Sequence, residues 1–171
     1  MQDNMDTTKT TDILKMAILM EKRGKAFYEA IAEQTNSEDV KKIFSIMASE
    51  EQTHIELLSR QYLSYQKTHE FVKDDFDSNA NGSISNLILN EDIKKQITAA
   101  SYEAAAISAA IDMETKAIEV YSQRAAETSD PNEKKLFLWL ADWEKGHHKI
   151  LNDLNEELKE SIWFDNKFWP F

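Results

Sequence analysis

The amino-acid sequence predicts an all-α protein: a four-helix bundle made of two helical hairpins joined by a long crossover. Three observations carry this expectation. Only three glycines and two prolines occur in 171 residues, a scarcity of breakers that favours long helices. Apolar residues recur at alternating spacings of three and four, the period of a helix with one buried face. Residues 17–58 also align without a gap onto residues 110–151 at a fixed offset of 93, so the second hairpin reads as a copy of the first.

The elements follow in order. Helix one is expected from about Thr11 to Thr35, with Ile13, Ala17, Met20, Gly24, Phe27 and Ile31 on one stripe. Asn36-Ser37 breaks it, and Ser37 can cap the next helix. Helix two then runs to about Thr68, with Val40, Phe44, Met47, Glu51, His54 and Leu58 along its seam. Helix three is expected from about Thr98 to Thr128 and stops at Ser129-Asp130-Pro131. Asp130 can cap helix four, Pro131 suits the first helical position, and Glu133 completes a capping box. Helix four runs to about Lys159 with Phe137, Leu140, Glu144, His147, Leu151 and Leu154 on its seam.

The bundle is thus assigned to residues 1–160, with hairpins at about 11–68 and 98–160 and a crossover at 69–97. An up-down neighbour needs only about 2–8 connecting residues. A crossover of this length can traverse the bundle and set helices two and three parallel. Within it, Glu91 to Ile97 is a candidate short helix. Residues 161–171 form an aromatic tail with Trp163, Phe164, Phe168, Trp169 and Phe171. Such density is expected either to fold back on the bundle or to pack on another subunit.

Composition narrows the chemistry. Apolar residues make up 42% and charged residues 30%, as in a soluble globular chain. There is no cysteine, which excludes disulfides, iron–sulfur clusters, Cys-ligated zinc and thiol catalysis. A net charge of −11 argues against nucleic acid or an anionic membrane as partner. No stretch approaches the roughly 20 apolar residues of a membrane span. The polar N-terminus lacks the order of a secretory signal, so a cytoplasmic location is expected.

The duplication retains one chemically loaded set. Glu51 and His54 form a Glu-x-x-His pair that recurs as Glu144 and His147. The same offset carries Glu21 to Glu114 and Tyr28 to Tyr121. Residues three apart share a helix face, so each pair can present a carboxylate and an imidazole to one centre. Asn36 lies midway between Glu21 and Glu51, and Ser129 midway between Glu114 and Glu144. Each glutamate therefore stands 15 residues from its hairpin turn, about 22 Å along the helix and near mid-bundle. Antiparallel packing then levels the two glutamates of each hairpin, and two-fold packing of the hairpins is expected to bring all four into one layer, on seams where apolar residues belong.

Unpaired buried carboxylates cost several kcal/mol each and repel one another. Two divalent cations remove both penalties. A lone Glu-x-x-His is usually a surface coincidence, Glu21 alone reads as a solvated residue, and a lone Tyr28 or Tyr121 reads as core. The set of six on a duplicated frame reads as a two-metal site. Mixed carboxylate and imidazole ligands suit iron or manganese, and zinc is possible. Glu50 lies outside the set because its repeat partner is Trp143, and His148 reads as a surface residue. His69 has no partner in the repeat and is left unassigned.

With these residues the chain resembles the rubrerythrin branch of the ferritin-like superfamily over about residues 12–160. The resemblance rests on Met20-Glu21 with Tyr28, Ala48 to His54, Met113-Glu114 with Tyr121, and Asp142 to His147. It implies a ferritin-like bundle holding two iron ions. Glu51 and Glu144 would bridge them, Glu21 and His54 would complete one iron, and Glu114 and His147 the other. Tyr28 and Tyr121 would orient carboxylates from behind the ligands. It further implies a di-iron oxidoreductase that reduces hydrogen peroxide or dioxygen, with a role in oxidative stress, in which these six residues are also the catalytic ones.

Two departures from the family pattern stand out. Rubrerythrins usually add a rubredoxin-like domain with four cysteines. Here electrons would come from a separate donor protein. They also carry a further Glu one turn after the helix-three ligand, where this chain has Ala117, matching Gly24 in the first half. The set is then six-residue and symmetric, closer to ferroxidase centres of bacterioferritin type. Gln52 is not the methionine that ligates haem in bacterioferritins, so no haem is implied. A homodimer or larger homo-oligomer is expected. A ferritin-like ferroxidase that stores iron, and a bundle that metal only stabilises, are the rival readings.

Overall fold

The computed structural model describes residues 2–73 and 102–165, and within them every element is a helix. These are α1 (Gln2–Gln34), α2 (Glu38–Thr68), α3 (Tyr102–Glu127) and α4 (Pro131–Asp165). Packing is closest within the hairpins α1–α2 and α3–α4. The N-terminal part of α1 lies beside the C-terminal end of α3: Lys9 pairs with Glu127 at 3.3 Å, and Arg124 donates to Thr10 at 2.9 Å. Helix α1 is therefore antiparallel to both α2 and α3, and α2 and α3 run parallel. This is the relation a long crossover requires. The two hairpin turns consequently sit at opposite ends of the bundle. Residues 74–101, which include most of the expected crossover at 69–97 and its candidate short helix at Glu91–Ile97, lie outside the described residues.

Local signals set the helix ends. The Ser37 hydroxyl accepts from the Val40 amide at 3.2 Å, capping α2, whose first turn carries Glu38 and Asp39 against the helix dipole. At the other end His69 takes the left-handed conformation with φ 56°, and its N–H donates to the Tyr65 carbonyl. Helix α4 opens at Pro131 after Asp130, whose carboxylate accepts from the amides of Asn132 and Glu133.

Three details differ from the sequence expectation. Helix α1 begins at Gln2 rather than Thr11. The first ten residues have no apolar stripe to betray a helix, yet no breaker stops one. Helix α4 continues through Trp163 and Phe164 to Asp165, with no Gly or Pro between Lys159 and Asp165 to break it. The rest of the aromatic tail lies outside the described residues. The capping box is only half formed. The Glu133 carboxylate turns instead to the buried Arg124 guanidinium, at 2.6 and 2.7 Å, and to the Thr128 hydroxyl. A charge-assisted pair outweighs one backbone amide at that position.

The core is divided. One apolar cluster, with Ile31, Val40, Phe44, Met47, Ile107 and Leu151, fills the end near the first turn. A second, with Leu14, Leu58, Leu136, Phe137 and Leu140, fills the opposite end. Full burial of a Leu or Phe contributes about 1.5–3 kcal/mol, so the two clusters carry most of the stability. Between them lies a layer of buried charge. No helix among the described residues is long and apolar enough to cross a membrane.

Candidate metal centre

Glu21, Glu51, Glu114 and Glu144 are each at most 3% exposed, and His54 and His147 are fully buried. All six meet at mid-bundle, one glutamate from each helix and one histidine from each of α2 and α4. Their ligand atoms fall into two groups, each lying within 4.8 Å of one another: Glu21, Glu51, His54 and Glu144, and Glu51, Glu114, Glu144 and His147. Glu51 and Glu144 belong to both groups. The geometry alone thus gives two adjacent positions with two shared carboxylates, each completed by one further glutamate and one histidine.

Both imidazoles aim Nδ1 into the layer. His54 Nδ1 lies 3.0 Å from Glu21 and 3.2 Å from Glu144. His147 Nδ1 lies 3.1 Å from Glu144 and 3.3 Å from both Glu51 and Glu114. Both Glu144 oxygens, His147 Nδ1 and His54 Nε2 are buried without a hydrogen-bond partner. Buried polar atoms are seldom left so, because each forfeits its hydration. Three of these four atoms point at the shared positions. A pair of divalent cations would satisfy them, and the donor set of carboxylate oxygen and imidazole nitrogen fits iron or manganese.

The protonation equilibria reflect the same crowding. Burial, and then the charges of Glu51 and Glu144, push Glu21 well above the ordinary carboxylate range. Burial and the Glu144 charge push Glu114 up to about 8. Burial also works on Glu144, but the imidazolium charge of His54 and the close approach of the His147 and His54 rings, at 3.1 and 3.2 Å, outweigh it and hold Glu144 far below that range. In Glu51, burial and the Glu144 charge are outweighed by bonds from Glu21 and both imidazoles, which lower it. Without metal, burial and the neighbouring carboxylates favour the protonated form of Glu21 and Glu114, and the carboxylates favour the charged form of His54 and His147.

This arrangement has a measurable consequence. Metal binds carboxylates and neutral imidazole, so it must displace those protons. A proton on Glu114 competes with metal below about pH 8, and those on Glu21, His54 and His147, which are raised as well, add to the competition. Affinity for Zn(II) should therefore rise from about pH 6 to pH 8, with protons released on binding. Calorimetry in buffers of different ionisation enthalpy counts those protons. Equal affinity at both pH values would contradict this account.

Behind the layer, two tyrosines cross between the halves. Tyr28 on α1 donates to Glu114 on α3, and Tyr121 on α3 donates to Glu21 on α1. Each serves the glutamate of the other repeat, not the one two turns away on its own helix. Both hydroxyls are pushed well above their ordinary pKa, by burial and then by the Glu114 and Glu21 carboxylates. They remain donors at any physiological pH. Tyr28 packs on Phe44 and Tyr121 on Phe137 with the same 5.8 Å centroid distance, so the two-fold symmetry extends into the core.

Glu50 was not expected to take part. Its carboxylate reaches across to α4, 2.8 Å from His147 Nε2, and accepts from the Trp143 indole at 3.4 Å. Comparing the repeats alone hid it, because its counterpart is a tryptophan. Its position beside Glu51, reaching a histidine on an antiparallel neighbour, was the available signal. His148 is half-buried and is bonded by Asn152, away from the layer.

A cavity of about 170 Å³ opens onto the layer between α1 and α3. Its lining pairs residues across the duplication: Met20 with Met113, Arg23 with Lys116, and Gly24 with Ala117, above Glu21, Glu51, Glu114 and Glu144. A Cβ on Gly24 would stand 3.4 Å from the Glu51 carboxyl carbon. The smallest side chains thus occupy the points where the cavity meets the carboxylates.

The sequence profile of the rubrerythrin family matches residues 12–155, which include every residue of the layer. No curated protein gives a significant match to the chain. Among solved structures, a hypothetical protein from Pyrococcus furiosus is similar, with 27% sequence identity and a TM-score of 0.62, over 88% of this chain and 90% of that one.

Proposed function

The chain belongs to the rubrerythrin family, and from that premise we propose that it is a di-iron oxidoreductase that reduces hydrogen peroxide or dioxygen. The observation that supports this most is the pair of overlapping ligand groups sharing Glu51 and Glu144, which fits a di-iron site. Glu21 and His54 would complete one position, Glu114 and His147 the other. Two ferrous ions held there would supply two electrons, enough with two protons to take hydrogen peroxide to water or dioxygen to hydrogen peroxide.

The rest of the work belongs to the chain. Tyr28 and Tyr121 fix the terminal carboxylates Glu114 and Glu21 by hydrogen bonds from the far side, so their oxygens face the shared positions. The apolar clusters above and below exclude bulk water and limit side reactions. Gly24 and Ala117 leave room for a two-oxygen molecule directly beside the carboxylates. Arg23 and Lys116 line the same opening with positive charge, which favours neutral or anionic small molecules over free cations. That lining weighs toward oxidant reduction and against iron storage. A separate protein as electron donor and a homo-oligomeric assembly complete the proposal.

The test is anaerobic loading with Fe(II), followed by stopped-flow mixing with hydrogen peroxide or dioxygen. Oxidation of two irons per chain without further iron uptake supports the reading. A bound diferrous pair inert to both oxidants rules it out. Continued uptake far beyond two irons per chain would favour the ferroxidase reading instead. Gly24→Leu should fill the cavity and slow oxidant access at least tenfold, while Gly24→Ala, which copies Ala117, should have little effect. The bimolecular rate constant for oxidation of the loaded protein measures this.

A further inference from the structure

The duplication is broken at one point in the layer, and the break falls on the imidazoles. Positions 50 and 143 correspond across the repeat, yet one is Glu and the other Trp. The consequences for the two histidines are opposite. His147 has Nδ1 in the layer and Nε2 bonded to the Glu50 carboxylate at 2.8 Å. His54 has Nδ1 in the layer, but its Nε2 is buried with no partner. The indole of Trp143 stands perpendicular to the His54 ring with centroids 5.1 Å apart, and that of Trp139 lies at 5.6 Å. Trp143 also donates to Glu50, so the substitution that deprives His54 of a carboxylate helps to hold the one on His147.

We propose that Glu50 is a positioning residue that makes the two metal positions inequivalent: the His147 position fills first, and the indole-backed His54 position second. This rests on the two-metal reading above. A carboxylate on the distal ring N–H fixes the tautomer and orientation of a ligating histidine and raises its basicity, which typically changes metal affinity by about 10–100-fold. An N–H facing an aromatic ring obtains a much weaker interaction. The first-coordination residues are otherwise matched across the repeat, so this difference stands out against an equal background. Functionally, an unequal pair leaves one ion more readily released and its position more readily opened to an incoming oxidant.

Stepwise binding of Co(II) to the metal-free full-length chain, by calorimetry and by visible absorption of the bound ion, tests the inference. The native chain should bind two ions in steps separated by about tenfold or more. Glu50→Gln should weaken the first step about 10–100-fold, alter the spectrum of the first ion, and leave the second step within about threefold. His54→Ala should keep the tight step and His147→Ala should lose it. Melting of the metal-free Glu50→Gln variant checks that it folds. Trp143→Glu provides the converse, since a carboxylate behind His54 should tighten the second step about tenfold. Equal steps in the native chain, or a Glu50→Gln variant that weakens both steps alike or neither, would overturn the inference while leaving the two-metal reading intact. Fewer than two ions bound per native chain would overturn both.

Discussion

Replacing Glu51 and Glu144 together by alanine abolishes two-metal binding, and the metal-free variant melts below the metal-free native chain while still folding. The first half of this expectation follows from sharing. These are the two residues common to both ligand groups, so their loss leaves each position with one glutamate and one histidine. Two ligands do not hold a divalent ion against water at micromolar concentration. The second half follows from charge. Both side chains are at least 97% buried, and Glu144 stays ionised there, held by His54 and His147. Removing them creates a cavity and strips the buried His54 and His147 of the carboxylates that pair with them, a loss that relief of carboxylate desolvation offsets only in part. Equilibrium dialysis with metal analysis gives the first quantity and calorimetric melting the second. Retention of two metals per chain would remove Glu51 and Glu144 from the ligand set. A variant that simply unfolds would show the two residues to be structural.

The second large effect is on stability. Ligands that bind only the native state stabilise it by mass action. At a free concentration about 1,000 times the dissociation constant, each ion contributes about 4 kcal/mol, so two contribute about 8 kcal/mol. For a chain of this size each kcal/mol moves the melting temperature by about 2–4 °C, giving a rise of roughly 15–30 °C on loading. Chelation should reverse it. The gain comes from one layer rather than from new apolar burial, because the two apolar clusters are already packed at its two sides. The pH profile follows with its sign fixed. Acidification protonates Glu114 and Glu21, both raised by burial, so the metal-dependent gain shrinks as pH falls below about 8. A melting temperature indifferent to Zn(II), Fe(II) and chelator alike would refute the fit of metal to this layer.

The helices were legible because their signals are local. Ser37, Asp130 and Pro131 mark helix starts through contacts that span only a few residues, and those contacts form. Glu133 was the exception. Its competing partner Arg124 belongs to the preceding helix, and no short-range rule weighs an ion pair against a capping amide. The first turns of α1 were missed for a different reason. Periodicity detects a helix by its buried face, and residues 2–10 show no such apolar stripe.

The layer of six was legible because two constraints coincide. A gapless repeat preserved each residue type, and equal distances from the hairpin turns fixed their level. Helix geometry converts residue number into height with little freedom, so the two glutamates of each hairpin, 15 residues from their turn, share a level, and two-fold packing of the hairpins joins the two pairs. Rotation about the helix axes was constrained as well, since the seams put Glu and His where Leu and Phe stand one turn away.

What the sequence by itself determined, then, is which residues share a height and a face. Both follow from the rise and period of a single helix, which are local properties of the backbone. Only the tertiary structure decided which side chain reaches which neighbour across a helix boundary. The tyrosines serve the opposite repeat, Glu50 reaches His147, and Gly24 and Ala117 open one side of the layer rather than merely failing to supply a ligand. These depend on the separation and roll of whole helices, quantities summed over every packed side chain between them. A repeat in sequence carries the symmetry of the frame, and the exchange of Glu50 for Trp143 becomes chemistry only when both meet the same pair of histidines.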